Sequence, residues 1–352
     1  MTICYFGIYK METRNRINMQ GLKENGVEII ECQNREPGVK KYLELIKKYW
    51  PIRHECALIF VAFPGYVVMP LAWILAKLTR KKIVLDAFMS AYDSMILDRQ
   101  SYRKYSWPAL KYWLLDWFSC VFADAILLDA DEYIKYYVKI FKIKKSKFRR
   151  LLVGSDDKML YPREQKKETD NFLAHFHGTY LPLQGILYII KAAKILENNG
   201  IEFNLIGRLA TYGEAIDLVK LLNLKNVNFI EYMPYEKLGE YMAKADVCLG
   251  MFGATGKAVR CSAFKVVEAI AMARPFITGD TPAMREIFKD RENCLYAKMM
   301  DAEDLAEKIL QLKNNLELRE KIARNGYQTY LKYFTPKAIG AELKNIFKEV
   351  LK

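Results

Sequence analysis

Phe172-Leu173-Ala174-His175-Phe176-His177 reads as a short apolar strand, Gly178 opens a turn, Leu187–Asn198 carries a helical pattern, and Phe203–Gly207 reads as a second strand. Apolar strands of this kind, separated by helices, mark a parallel sheet covered on both faces. Outward from this stretch the alternation continues. Helical patterns at Ala215–Leu222 and Leu238–Ala243 alternate with strands at Val227–Ile230 and Val247–Met251. Lys265–Met272 with Pro275–Thr278 and Leu295 with Asp301–Leu312 follow, and helices Leu316–Lys332 and Ala338–Leu351 close the chain. Upstream, strands are expected at Ile3–Ile8, Glu28–Cys32, Ala57–Phe63, Lys82–Asp86 and Ala125–Asp129, with a helix at Arg14–Asn25. Between the two halves Val153–Asn171 is polar and holds Gly154, Asp156, Asp157 and Pro162, as a linker does. The expected fold class is α/β, with doubly wound domains at 1–155 and 156–335 and a C-terminal helix, 336–352, packing back on the first. Ligands of such sheets sit at the carboxyl ends of the strands, and the expected active site is the cleft between the two domains.

Length and composition fit that division. The 352 residues are 52% hydrophobic, enough for two cores. Lys and Arg number 55 against 41 Asp and Glu, a net charge of +14, which favours an anionic partner: a nucleotide, a nucleic acid or an anionic lipid surface. Basic residues lie beside aromatics, as in Lys47-Lys48-Tyr49-Trp50 and Tyr102-Arg103-Lys104-Tyr105-Ser106-Trp107, but without the regular repetition of a nucleic-acid module, so nucleic acid is not expected as a partner. The seven cysteines are scattered and form no CxxC pair, which reads as buried thiols of a reducing compartment without disulfides or zinc. Met1 leads directly into a strand-like run, so a cytoplasmic protein is expected, with peripheral attachment to the inner face of a membrane as an option. Cys56–Ala76 approaches the length of a membrane span, yet Phe63-Pro64-Gly65 divides it, and strand, turn and helix explain the division better.

Phe176-His177-Gly178-Thr179-Tyr180-Leu181-Pro182-Leu183-Gln184-Gly185 is similar to the strand-to-helix turn that opens the C-terminal domain of family 4 glycosyltransferases. Phe203–Arg208, then Val227-Asn228-Phe229 with Tyr232-Met233-Pro234, follow in the family's order. Lys265–Thr278 resembles its donor-binding helix and next strand, continued by Arg285-Glu286 and Glu292-Asn293, and Val153-Gly154-Ser155-Asp156 to Tyr161-Pro162 resembles its interdomain segment. The likeness is good over roughly residues 150 to 335 and weak before them. It implies a GT-B architecture of two Rossmann-like domains, a nucleotide diphosphate sugar as donor with UDP favoured, and retention of configuration. Neither a cofactor nor a metal is implied, and the acceptor would be a glycan or a lipid-linked molecule.

The chemistry selects candidate residues. A departing nucleotide diphosphate gains charge, which helix N-termini and fixed cations can stabilise. Gly178 lets backbone approach a phosphate, while Arg208 after a strand end and Lys265 at a helix start can reach a diphosphate. Glu268, three residues beyond Lys265, binds the ribose hydroxyls by resemblance. Thr179, Gln184, Tyr232, Met233 and Val266 lie in the matched segments and are further donor-binding candidates. Where the family commonly has a second glutamate, this chain has Arg260, in a stretch rich in glycine and cations from Gly250. Lys257 and Arg260 are candidates for the diphosphate or an acidic group on the sugar. In the first half Gly7, Arg14, Asn15 and Arg16 follow the first strand on the donor side. Asp86, Ser90 and Asp93 follow the Lys82 strand on the acceptor side, with Asp86 joining Arg208 and Lys265 as a catalytic candidate. Plain alternatives stand beside each: a solvated pair for Lys265 and Glu268, a surface cation for Arg208 or Arg260, a turn residue for Gly178 or His177, and helix caps for the aspartates.

Ser101–Ala123 combines many aromatics with Arg103, Lys104 and Lys111, which suits a membrane interface or a large core helix equally. Lys142–Arg150 adds a cationic run placed near the cleft rim or a membrane. Two competing readings remain: a nucleotide-sugar 2-epimerase of the same scaffold, poorly served by only His54, His175 and His177, and a non-catalytic basic membrane- or nucleic-acid-binding protein.

Overall fold

The computed structural model describes residues 1–164, 170–208 and 211–352, so residues 165–169 of the expected linker lie outside the described residues. Two compact units emerge: Met1–Gly154 with Thr335–Lys352, and Ser155–Phe334. In the first unit β1 (Thr2–Gly7), α1 (Thr13–Glu24), β2 (Glu28–Gln33), α2 (Lys40–Ile52), β3 (Leu58–Val61), α3 (Met69–Thr79) and β4 (Lys82–Phe88) alternate. They are followed by α4 (Trp107–Phe122), β5 (Ala125–Leu128), α5 (Asp131–Phe141) and β6 (Phe148–Arg150). The sheet is parallel with order β2-β1-β3-β4-β5-β6. The second unit runs β7 (Phe172–His177), α6 (Ile186–Ile195), β8 (Ile201–Ile206), α7 (Tyr212–Leu221), β9 (Val227–Ile230), α8 (Tyr235–Lys244), β10 (Val247–Leu249) and α9 (Phe264–Ala271). It closes with β11 (Phe276–Gly279), α10 (Pro282–Arg285), β12 (Leu295–Ala297), α11 (Ala302–Asn314) and α12 (Leu316–Tyr333), its parallel sheet ordered β12-β11-β10-β7-β8-β9. Burial on both faces is why the inner strands read as continuous apolar runs.

The last helix, α13 (Pro336–Leu351), belongs to the first unit. Its Ile339, Leu343 and Phe347 join Ile3, Tyr5 and Phe60 in one core. Gly21 of α1 and Gly340 of α13 meet backbone to backbone, and a Cβ on either would overlap the other helix.

Two expectations are corrected. Phe148–Arg150, read as part of a loose cationic run, is an edge strand: Phe148 is buried, the arginines flank it, and cations are a common way to blunt such an edge. The strand expected to reach Met251 stops at Leu249; beyond it Gly250 lies against Thr278 so closely that no side chain fits. Cys56–Ala76 divides into β3 and α3 around Gly65, and among the described residues no helix is long and apolar enough to cross a membrane. All seven cysteines are buried and free.

Candidate functional site

In the second sheet the chain winds outward through β8 and β9, then returns to build β10, β11 and β12 on the other side of β7. The direction reverses between β7 and β10, where sheets of this kind leave a crevice at the strands' carboxyl ends. Two glycines shape that edge. Gly178 after β7 has φ +141° and Gly207 after β8 has φ +149°, a region open in practice to glycine alone. A Cβ on Gly207 would overlap the Gly178 carbonyl oxygen, and one on Gly178 would stand 2.9 Å from Lys265 Nζ.

Lys265, the second residue of α9, is 6% exposed. Its Nζ lies 3.8 Å from the centre of the Phe176 ring and donates to Gln184 Oε1. Burial pushes the ammonium well below its usual pKa, and the opposing charge of Glu268 only partly offsets this. Gln184 is held in place from behind: Gly185 packs against Phe252 and Gly253, and the Phe252 amide donates to the Gln184 carbonyl at 3.1 Å.

One turn along α9, Glu268 is buried and engaged on both oxygens. His177 Nε2 lies 2.8 Å from Oε2, and the Tyr235 hydroxyl donates to Oε1 at 2.9 Å. Burial raises the carboxyl, but the hydrogen bonds from His177 and Tyr235, together with the charge of Lys265, outweigh it, leaving Glu268 below its ordinary value. His177 Nδ1 in turn lies 3.0 Å from Nε2 of His175, which burial holds well below the usual histidine range and hence neutral. The consistent proton arrangement has His175 Nε2–H donating to His177 Nδ1 and His177 Nε2–H donating to Glu268. His175 Nδ1, buried and without a partner, is then the unprotonated nitrogen.

Gly178, Gln184, Lys265 and Glu268 therefore come together, with Thr179 exposed next to Gly178. Lys257 is buried in the loop after β10, and the half-buried Arg260 lays its guanidinium against Gly256. Arg208 pairs with Glu231 at 2.7 Å and is 68% exposed, Tyr232 is exposed and Met233 half-buried. Val266 is corrected: its side chain is core and its amide donates to the Ala263 carbonyl, so it offers nothing to a ligand.

In the first unit Gly7 ends β1 with φ +149°. Asp86 as a catalytic residue is also corrected. It is fully buried, and Arg14 grips it through Nε (2.8 and 3.0 Å) and Nη2 (2.8 Å) while Asn18 donates at 3.2 Å. Arg14 Nη1 alone of that guanidinium is buried without a partner. Asn15 is tied to Tyr5 and to the Lys10 and Phe63 carbonyls. Ser90 and Asp93 are wholly buried, so neither faces an acceptor. Ser90 donates to Asp116 at 2.6 Å and accepts from the Asp93 amide. Asp116 also accepts from the Ala91 and Tyr92 amides, and burial pushes its carboxyl up to about 6. Asp116, His175 and Tyr235 were absent from the candidates. Only His175 carried a signal, since residues two apart on a strand share a face.

Two doubly wound parallel units, the second with a buried lysine beside a glycine strand end at its switch point, define a GT-B fold of two Rossmann-like domains. Residues 157–329 match the family model of glycosyl transferases group 1. An uncharacterized glycosyltransferase of Methanocaldococcus jannaschii is 26% identical over 219 residues, 62% of this chain and 58% of that protein, so the match spans less than two thirds of the relative. Sucrose-phosphate synthase from Thermosynechococcus elongatus superposes with a TM-score of 0.79 at 14% identity, covering 99% of both chains. Anabaena HepE in complex with UDP-glucose gives 0.73 at 13%, covering 99% of this chain and all of that one. At such identities the structural likeness establishes the fold.

Proposed function

We propose that this chain is a retaining glycosyltransferase moving a sugar from a nucleotide diphosphate sugar, UDP-sugar by preference, to a glycan or lipid-linked acceptor. The observation that carries the reading is the Gly178–Lys265 juxtaposition: a strand end stripped of side chain, beside a buried lysine at the start of a helix. Such a juxtaposition suits a diphosphate, because backbone can approach the phosphate oxygens while helix dipole and ammonium oppose their charge. The UDP-glucose named for HepE and the group 1 match of the second unit support the same donor class.

In this reading the leaving diphosphate gains charge as the sugar departs, and Lys265, joined by Lys257 and Arg260, stabilises it without a metal or other cofactor. Glu268 and Tyr235 are the groups nearest for a ribose, but both Glu268 oxygens already serve protein partners. Its first task is to hold His177 and Tyr235, and a ribose hydroxyl competes with the tyrosine. With Asp86 sealed by Arg14, the acceptor proton passes to the leaving phosphate. Titration calorimetry against UDP, GDP, ADP and CDP tests the proposal. Micromolar binding of one nucleotide, lost in Gly178→Val, supports it, whereas no binding across the panel eliminates it. Anomeric coupling in the product's NMR spectrum then decides retention, and activity in EDTA decides metal independence.

A further inference from the structure

Two neighbouring helices of the first unit, α3 and α4, carry apolar and aromatic side chains on faces that nothing in the unit covers. They are joined edge to edge by the Trp73–Phe122 stack, ring centres 4.9 Å apart. On α4 Trp107 is 84% exposed, and Leu110, Phe118 and Val121 follow it along the same side, while Ile74 and Leu78 are exposed on α3. Between the helices lies an apolar recess of about 310 Å³ lined by Tyr66, Pro70, Trp107, Leu110, Leu114 and Phe118. Tyr105, just before α4, is 94% exposed. Single exposed apolar residues are ordinary, but a contiguous two-helix face of them marks an interaction surface.

Charge identifies the occupant. From Tyr66 to Lys81 the chain has no Asp or Glu, and from Arg99 to Ala123 its one carboxylate, Asp116, is buried. The exposed charges of these segments are cations alone, among them Lys77, Arg103, Lys104 and Lys111. A two-fold contact with a second copy would set this positive face against itself. An anionic bilayer instead meets both features: aromatic and aliphatic tips enter the headgroup boundary while lysine stems lie along it with their ammonium ends among the phosphates. We infer that the α3–α4 face docks the protein on an anionic membrane surface, inserting Trp107 and Leu110 and flanking them with Lys104 and Lys111. The inference is independent of the donor reading, since vesicle binding is measured without nucleotide.

Flotation with phosphatidylcholine vesicles, with and without phosphatidylglycerol, provides the test. The expected result is binding to the anionic vesicles, weakened by salt and accompanied by a blue shift of tryptophan emission. Lys104→Glu and Lys111→Glu should each reduce the partition coefficient about fivefold or more. Trp107→Ser with Leu110→Ser should reduce it by at least about tenfold, and circular dichroism should be unchanged because both side chains are exposed. Absence of wild-type binding to either vesicle overturns the inference, as does wild-type partitioning by the serine variant. A concentration-dependent dimer abolished by that variant overturns it in favour of a second copy, and an anionic protein partner without vesicle binding would do so equally.

Discussion

Lys265→Met should move stability and donor affinity in opposite directions. Methionine keeps the length and apolar character of the lysine stem and removes its charge. Burial depresses the Lys265 pKa despite the Gln184 bond, the Phe176 ring and Glu268, so desolvation exceeds what those partners return. Glu268 keeps His177 and Tyr235 in the variant, and the half-buried Gln184 can turn to water. The free variant should therefore be as stable as wild type, or more stable by up to about 2 kcal/mol. For a unit of this size that is roughly 2–4 °C in Tm per kcal/mol. Binding goes the other way: one charge-assisted contact to the diphosphate is worth about 1.5–3 kcal/mol, or roughly 10- to 150-fold in Kd. Protonation adds a second readout. Between its depressed value and 10.5 Lys265 is neutral in the free protein, and a bound anion favours the ammonium, so nucleotide binding within that window takes up a proton. Calorimetry in buffers of different ionisation enthalpy measures this uptake, which the methionine variant should lack. A UDP affinity within twofold of wild type, or a Tm several degrees lower, would refute the assignment and make Lys265 a structural residue.

Three other outcomes are expected. Arg14→Met alone strands a fully buried Asp86 and should cost about 3–5 kcal/mol in denaturant unfolding, whereas adding Asp86→Leu should recover most of that loss. Asp116 holds its proton up to about pH 6 when folded and up to about 3.8 when unfolded. The folded state thus binds the extra proton between those values, and this group favours folding increasingly as pH drops from 7 to 4, by about 2 kcal/mol. The pH slope of wild-type stability minus that of Asp116→Asn should show the difference, and parallel slopes would exclude it. Arg260→Glu should weaken UDP binding about tenfold or more, by exchanging attraction for repulsion at the proposed donor site, and an unchanged Kd would remove Arg260 from the site.

The fold was legible because burial writes itself into the strands. Phe172–His177 and Val227–Ile230 coincide with the elements read from their apolar runs, and most other elements differ only at their ends. What escaped was set by tertiary contact. Phe148–Arg150 is a strand only because β5 lies beside it, and its composition reads as a charged loop. Asp86 has the strand-end position of a catalytic carboxylate, and only the fold reveals that Arg14, 72 residues earlier, closes it off. Tyr235 reaches Glu268 from a different helix, a pairing that no local spacing announces.

Unmet charge separates the two units as donor sites. Local rules are broken in both. The first unit buries Arg14, Asp86 and Asp116, and the second buries Lys265, Glu268 and two histidines beside glycines in conformations other residues avoid. Strain and buried charge persist where the surroundings compensate them or where function exacts them. In the first unit the compensation is direct: Arg14 and Asp86 neutralise each other in contact, and Asp116 takes three donors. In the second, Glu268 takes hydrogen bonds from His177 and Tyr235, while Lys265 has a side-chain amide and an aromatic ring where a contacting anion would be expected. A buried cation with no carboxylate in contact among the described residues, beside a glycine strand end at a switch point, suits an anion that arrives from outside. That asymmetry favours the second unit for the proposed diphosphate, and it predicts that nucleotide will raise the thermal stability of wild type far more than that of Lys265→Met.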